Sequence, residues 1–122
     1  MVNHSKEEEP IEACGFLIGD KVDDEAVASH ILPADNILSS PVLFEISPEE
    51  IYKAWITAEK MGKDVVGVYH SHPHGGLTPS PRDVQFMRHS DFVWLILKGK
   101  RIRGFIWDNG VTEILVEILE WS

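Results

Sequence analysis

The sequence predicts an α/β chain of the α+β kind, with one mixed central β-sheet flanked by helices. Three observations carry this reading. Residues 92–97, Phe-Val-Trp-Leu-Ile-Leu, are continuously apolar, the pattern of a central strand buried on both faces. Two helical stretches open with Ser-Pro-x-acid, at Ser47-Pro48-Glu49-Glu50 and at Ser80-Pro81-Arg82-Asp83. The last third of the chain reads as three strands joined by tight turns at Lys98-Gly99-Lys100 and Asn109-Gly110, which argues against a purely parallel sheet.

The elements follow in chain order. Residues 1–9 are polar and end at Pro10, as the last turns of a helix do. Residues 14–18 are small and apolar and read as a buried strand closed by Gly19-Asp20. Residues 26–32, with Val27 and Ile31, read as a second strand, and residues 43–46 as a third. Ser47 then caps a helix, Pro48 suits its first position, and Glu50 is placed to return the cap. Ile51, Trp55 and Ala58 recur at helical spacing, with Tyr52 widening the stripe, and Gly62 stops the helix. Residues 64–69 form a Val-rich strand, and Ser80 opens a short helix running to about His89. After the apolar strand at 92–97, residues 101–108 and 111–119 complete the hairpins. The count is about seven strands and two or three helices. Trp55, Trp94, Trp107 and Trp121 read as core or sheet-face residues.

Composition narrows the classes of function. The 122 residues are one domain's worth of chain, spanning 1–122. Hydrophobic residues make up 43% and charged residues 25%, which excludes a disordered chain. Eleven Lys and Arg against twenty Asp and Glu give a formal charge of −9, with no basic stripe to follow a nucleic-acid backbone. The one cysteine, Cys14, excludes an intrachain disulfide and fits a reducing, cytoplasmic setting. No apolar run reaches the length of a membrane span, and the first residues are no signal peptide.

Reactive side chains are densest at His70-Ser71-His72-Pro73-His74, at the end of a strand. Residues i and i+2 of a strand share a face, so His70 and His72 project together and can hold a zinc ion. A third ligand must come from elsewhere. Asp83, across a Gly- and Pro-containing loop, can supply it, although the parallel with Ser47–Glu50 also makes Ser80 and Asp83 plain capping residues. Three protein ligands leave one tetrahedral position for water, the arrangement of a catalytic rather than a structural zinc. A nearby carboxylate would take the proton of such a water, and Glu12 is a candidate that spacing alone does not single out. Cys14, two residues after Glu12, reads either as a small buried hydrophobe or as an accessory thiol open to oxidation.

Together these segments resemble the signature of the JAMM, or MPN-plus, zinc metallopeptidases: a glutamate, then His-Ser/Thr-His, seven residues, then Ser-x-x-Asp. Glu12, His70, His72, Ser80 and Asp83 fill its five functional positions. Residues 10–19 and 68–73 also resemble the family's first strand and metal strand, and the likeness covers nearly the whole chain. The resemblance implies the cytidine-deaminase-like MPN fold and one zinc per chain on His70, His72 and Asp83. It implies Glu12 as general base, Ser80 as oxyanion donor and Ser71 as a spacer turned away from the metal. The chain is similar to minimal archaeal and bacterial members such as the archaeal desampylases. The expected function is therefore a zinc isopeptidase. It would cut after the C-terminal Gly-Gly of ubiquitin-like (SAMP-type) modifiers and release them from lysine conjugates. One alternative is a peptidase trimming an amino acid from a sulfur-carrier protein, and another is a non-catalytic MPN scaffold. A zinc nucleoside deaminase is excluded, because its Pro-Cys-x-x-Cys ligand pair cannot come from one cysteine. Family members begin with a longer helix, so the start is expected to be shortened, which bears on self-association as a homodimer.

Overall fold

A computed structural model describes residues 1–22 and 25–117. The elements are α1 (Val2–Glu8), β1 (Cys14–Val22), β2 (Glu25–Ala34), α2 (Pro48–Lys60), β3 (Asp64–Ser71), α3 (Pro81–Met87), β4 (Val93–Lys98), β5 (Arg101–Trp107) and β6 (Val111–Ile114). The six strands form one sheet in the order β2-β1-β3-β4-β5-β6. Among the described strands only β3 and β4 run parallel, and the segment joining them carries α3. The mixed sheet with flanking helices is the architecture expected from the sequence. Among the described residues no helix is long and apolar enough to cross a membrane.

Each face of the sheet buries its own cluster. One face packs Phe16, Ile18, Val68, Trp94, Ile96 and Phe105 against Ala54 and Ala58 of α2 and Met87 of α3. The other packs Leu17, Val66, Tyr69, Leu95 and Leu97 against Val2 of α1 and Met1 just before it. The continuously apolar β4 thus serves both clusters, which is why its sequence lacks alternation. His4 of α1 and Tyr69 of β3 share a hydrogen bond of 2.9 Å, which ties the helix to the sheet.

Six expectations are corrected. Residues 43–46 are loop, not strand: their neighbourhood bonds to Asn36 and Ile37 instead of to a sheet edge. Gly19 does not close β1. It lies inside the strand where the pairing shifts, and a Cβ there would collide with the Val27 carbonyl oxygen across the pair. Glu50 does not return the Ser47 cap, because its carboxylate accepts from the Asp35 backbone N–H at 2.9 Å. The buried residues of α2 are Ala54 and Ala58, while Tyr52 is 67% and Trp55 48% exposed. Small residues let α2 lie close to the sheet, and the large rings flank the contact. Helix α3 ends at Met87, before the expected His89. Strand β6 ends at Ile114, and residues 118–122, with Trp121, lie outside the described residues.

Candidate metal centre

Strand β3 delivers the two histidines. His70 is inside it, and His72 prolongs its pairing by donating its backbone N–H to the Leu97 carbonyl at 2.9 Å. Alternation turns Ser71 to the opposite side, where its Oγ accepts from the Ala13 N–H at 2.8 Å and its own N–H donates to the Ala13 carbonyl at 2.9 Å. Ser71 therefore fastens the segment carrying Glu12 to the end of the metal strand. The loop after His72 returns the chain to Ser80, whose Oγ caps α3 by accepting from the Asp83 N–H at 3.1 Å.

Three ligand atoms converge. His70 Nε2 and His72 Nε2 are 2.9 Å apart, and Asp83 Oδ2 lies 3.1 Å from the first and 3.4 Å from the second. Bonds of about 2.0–2.1 Å in a tetrahedral zinc shell place neighbouring ligands about 3.3 Å apart, so these residues fit the ion. All three are buried, and Glu12, 4% exposed, offers a carboxylate oxygen within 4.8 Å of the two histidine nitrogens. Asp83 Oδ2 and the two histidine nitrogens are spaced for a tetrahedral shell, and Glu12 lies beside the same two nitrogens as a further carboxylate.

The two histidines differ in their protonation preferences. Burial lowers the pKa of His70 against the opposing pull of Asp83 and keeps its imidazole neutral. Burial would lower His72 too, but its bonds to Asp83 and to the Gly76 carbonyl raise it overall. That carbonyl only accepts, so at 2.8 Å it fixes a proton on His72 Nδ1, and in the neutral ring Nε2 is the nitrogen left to ligate. Burial opposes ionisation of Asp83, yet the hydrogen bonds of His70 and His72 hold it well below the usual carboxylate range. Burial pushes Glu12 up to about 7, with His72 pulling it down and Asp83 pushing it further up. A carboxylate poised there suits reversible proton transfer.

Asp83 shows that capping and ligation are compatible. Its Oδ2 accepts from the Ser80 N–H at 2.9 Å while facing both histidines, because a carboxylate oxygen carries about two lone pairs. Ser80 uses its oxygen to cap and keeps its O–H proton available to donate. Cys14 is fully buried beside His70 in the β1–β3 pairing. Burial, with Glu50 and Glu12 adding to it, pushes its thiol up to about 12, so it packs as a protonated apolar group. A cavity of about 380 Å³ opens near Ser71, lined by Ser5, Glu9, Pro73 and Lys98 among others, and takes in none of the converging ligands.

Sequence reasoning passes over two residues that shape this site. Asn36 organises the loop between β2 and α2. Its Nδ2 donates to the carbonyls of Glu12 (3.1 Å), Ser40 (3.4 Å) and Leu43 (2.8 Å), and its Oδ1 accepts from the N–H groups of Leu38 (3.1 Å) and Glu45 (3.2 Å). Glu12 also donates its own N–H to Ser40 at 2.8 Å, so the loop holds the backbone of Glu12 on both sides. Asn36 after a strand signals a turn, but nothing local reveals so many partners. From the same loop Phe44 stacks on His70, with ring centroids 4.6 Å apart at 25°.

Comparison with known proteins adds to this geometry. Residues 1–109 match the family model described as prokaryotic homologs of the JAB domain. A desampylase of Pyrococcus furiosus is 39% identical over 90 residues, 74% of this chain and 61% of that protein, so the match spans less than two-thirds of its length. A CysO-cysteine peptidase of Mycobacterium tuberculosis is 31% identical over 126 residues, covering 98% of this chain and 85% of its own. Among solved structures, a protein from Desulfitobacterium hafniense superposes with a TM-score of 0.82 at 31% identity, covering 98% of this chain and 88% of its own. A JAB1/MPN domain protein from Archaeoglobus fulgidus shares the fold, with a TM-score of 0.61 at 20% identity, 98% of this chain and 90% of its own being covered.

Proposed function

The chain belongs to the family of prokaryotic homologs of the JAB domain, and from that premise we propose that it is a zinc-dependent isopeptidase. In this reading residues 1–122 act as one domain in the cytoplasm. The enzyme releases ubiquitin-like modifiers of the SAMP type from lysine conjugates by cutting after their C-terminal Gly-Gly. One observation carries the proposal: the buried triangle of His70, His72 and Asp83 with an acid–base candidate, Glu12, beside it.

His70, His72 and Asp83 would hold the zinc, which when bound supplies a Lewis acid for the scissile carbonyl and lowers the pKa of water to about 7. Glu12 takes the proton of the attacking water on its carboxylate and passes it to the leaving lysine amine. Its burial, which lifts it toward about 7, makes both transfers accessible. The Ser80 hydroxyl donates to the oxygen on which negative charge develops. Asp83 and Ser80 are held in register by their mutual cap, so substrate binding need not order them. The extended tail of a modifier reaches such a strand-end site where a folded backbone does not. Glycines before the bond also tolerate a narrow approach.

The test is a panel of lysine conjugates carrying Gly-Gly-tailed modifiers, with unfolded polypeptides as controls and cleavage sites read by mass spectrometry. Cleavage immediately after Gly-Gly is expected. Cuts at many sites in unfolded chains, with the conjugates intact, would overturn the substrate assignment. The likeness to a CysO-cysteine peptidase over nearly the whole chain favours a second reading on the same site. There the enzyme removes an amino acid from a sulfur-carrier tail, and a carrier–cysteine adduct in the panel separates the two.

A further inference from the structure

His70 and His72 face the same point but are oriented by different means. The ring of His72 is fixed by the bond from Nδ1 to the Gly76 carbonyl. His70 Nδ1 is buried and meets no hydrogen-bond partner among the described residues. Metal-ligating histidines are almost always aimed by a hydrogen bond from the outer nitrogen, and losing it weakens the metal. Around His70 that role falls to aromatic rings. Phe44 lies against its face at 4.6 Å and 25°, and Trp94 meets it nearly perpendicular at 6.1 Å and 84°.

We propose that Phe44 is a positioning residue for the metal centre, holding the His70 ring at its ligating angle by stacking where a hydrogen bond would ordinarily do so. This rests on the metal reading above and adds to it a residue outside the five-position signature. Phe44 is itself held in place. The carbonyl of Leu43 before it and the N–H of Glu45 after it both bond to Asn36. Its ring also packs against the core cluster that includes Val68 and Trp94. Because Asn36 also bonds the carbonyl of Glu12, one loop sets the place of the base and, through Phe44, the attitude of a ligand. A loop without regular structure thereby acquires a fixed shape that the site requires.

The experiment is Co²⁺ binding to the purified, metal-stripped chain, measured by chelator competition and by the visible absorption of bound Co²⁺. It compares the unmodified protein with Phe44→Leu, Phe44→Tyr and Phe92→Leu, and thermal melts of the stripped variants verify folding. Phe44→Leu keeps an apolar side chain but removes the stack, and should weaken Co²⁺ binding about 10–100-fold and alter the absorption bands. Phe44→Tyr keeps a stacking ring and should restore both. Phe92 packs on the same core cluster without touching either histidine ring, so Phe92→Leu should leave Co²⁺ affinity unchanged whatever it does to the melt. Binding by Phe44→Leu indistinguishable from the unmodified chain would overturn the proposal, as would equal losses in Phe44→Leu and Phe92→Leu. No Co²⁺ uptake by the unmodified chain would bring down the metal reading itself, and this inference with it.

Discussion

Helices α2 and α3 begin with the same four-residue device, and only one of them reaches the site. At Ser47-Pro48-Glu49-Glu50, Ser47 Oγ accepts from the Glu50 N–H at 3.3 Å, and the Glu50 carboxylate turns away to the Asp35 backbone. At Ser80-Pro81-Arg82-Asp83 the cap is reciprocal. Asp83 bonds back to Ser80, and the same oxygen faces His70 and His72 from a residue 4% exposed. The acid one methylene shorter completes its own cap, while the longer one reaches a neighbouring loop. What separates them further is position. The α3 start is carried to the end of β3, where two imidazoles have already been turned to one face. The sheet places two imidazoles opposite one cap and not the other, and the local sequence of the cap does not say so.

Substitutions at the two caps sharpen this contrast, and the largest difference is expected at the acids. Asp83→Ala should lose bound zinc and all measurable turnover, whereas Glu50→Ala should keep both, as read by metal analysis of the purified chains alongside conjugate cleavage. The serines come next. Ser47→Ala and Ser80→Ala should each cost about 0.5–2 kcal/mol in denaturant unfolding, because each loses a cap. Only Ser80→Ala should also lose about 10²–10³ in kcat, through the missing oxyanion donor. Equal stability losses with full turnover in both would reduce Ser80 to a cap.

The smallest effect is a pH dependence in the metal-free protein. Burial raises Glu12 from 4.5 to about 7, so its neutral form fits the fold better than its charged form. The stability it contributes is fully present below pH 4.5 and is lost as pH rises through about 7. His70, lowered by burial, acts in the opposite direction, its contribution being lost as pH falls through and below its ordinary 6.5. Glu12→Gln isolates the first effect. It should match the unmodified chain near pH 4.5 and become the more stable of the two toward and above pH 7, the gap then staying level. A gap that does not change with pH would contradict the buried placement of Glu12.

Most of the sheet was legible because its cues are short-range. The continuous apolar run at 92–97 became β4, and Asn109-Gly110 turns β5 into β6 with Asn109 at φ 55°. The paired histidines followed from strand alternation. What was not legible depends on partners distant in sequence. Residues 43–46 have the composition of a strand, but Asn36 takes up the backbone groups around them and keeps them in a loop. Ile51, Trp55 and Ala58, with Tyr52, read as an apolar stripe, yet of these only Ala58 is buried, together with Ala54, and the large side chains stay partly in solvent. Glu12 stood among twenty acids until the backbone bonds to Ser40 and Asn36, and the Ser71–Ala13 pair, fixed it beside the histidines. The two readings of Asp83, cap and ligand, were indistinguishable in sequence because both call on the same carboxylate, whose Oδ2 bonds Ser80 and faces both histidines.

X-ray absorption at the zinc edge of the purified protein decides most directly whether the α3 cap is a metal site. One zinc per chain is expected, with a shell of nitrogen and oxygen at about 2.0–2.1 Å that includes two imidazoles, and with the zinc lost in His72→Ala. A sulfur neighbour at about 2.3 Å would bring the buried Cys14 into the shell and contradict the assignment, as would full zinc occupancy in His72→Ala.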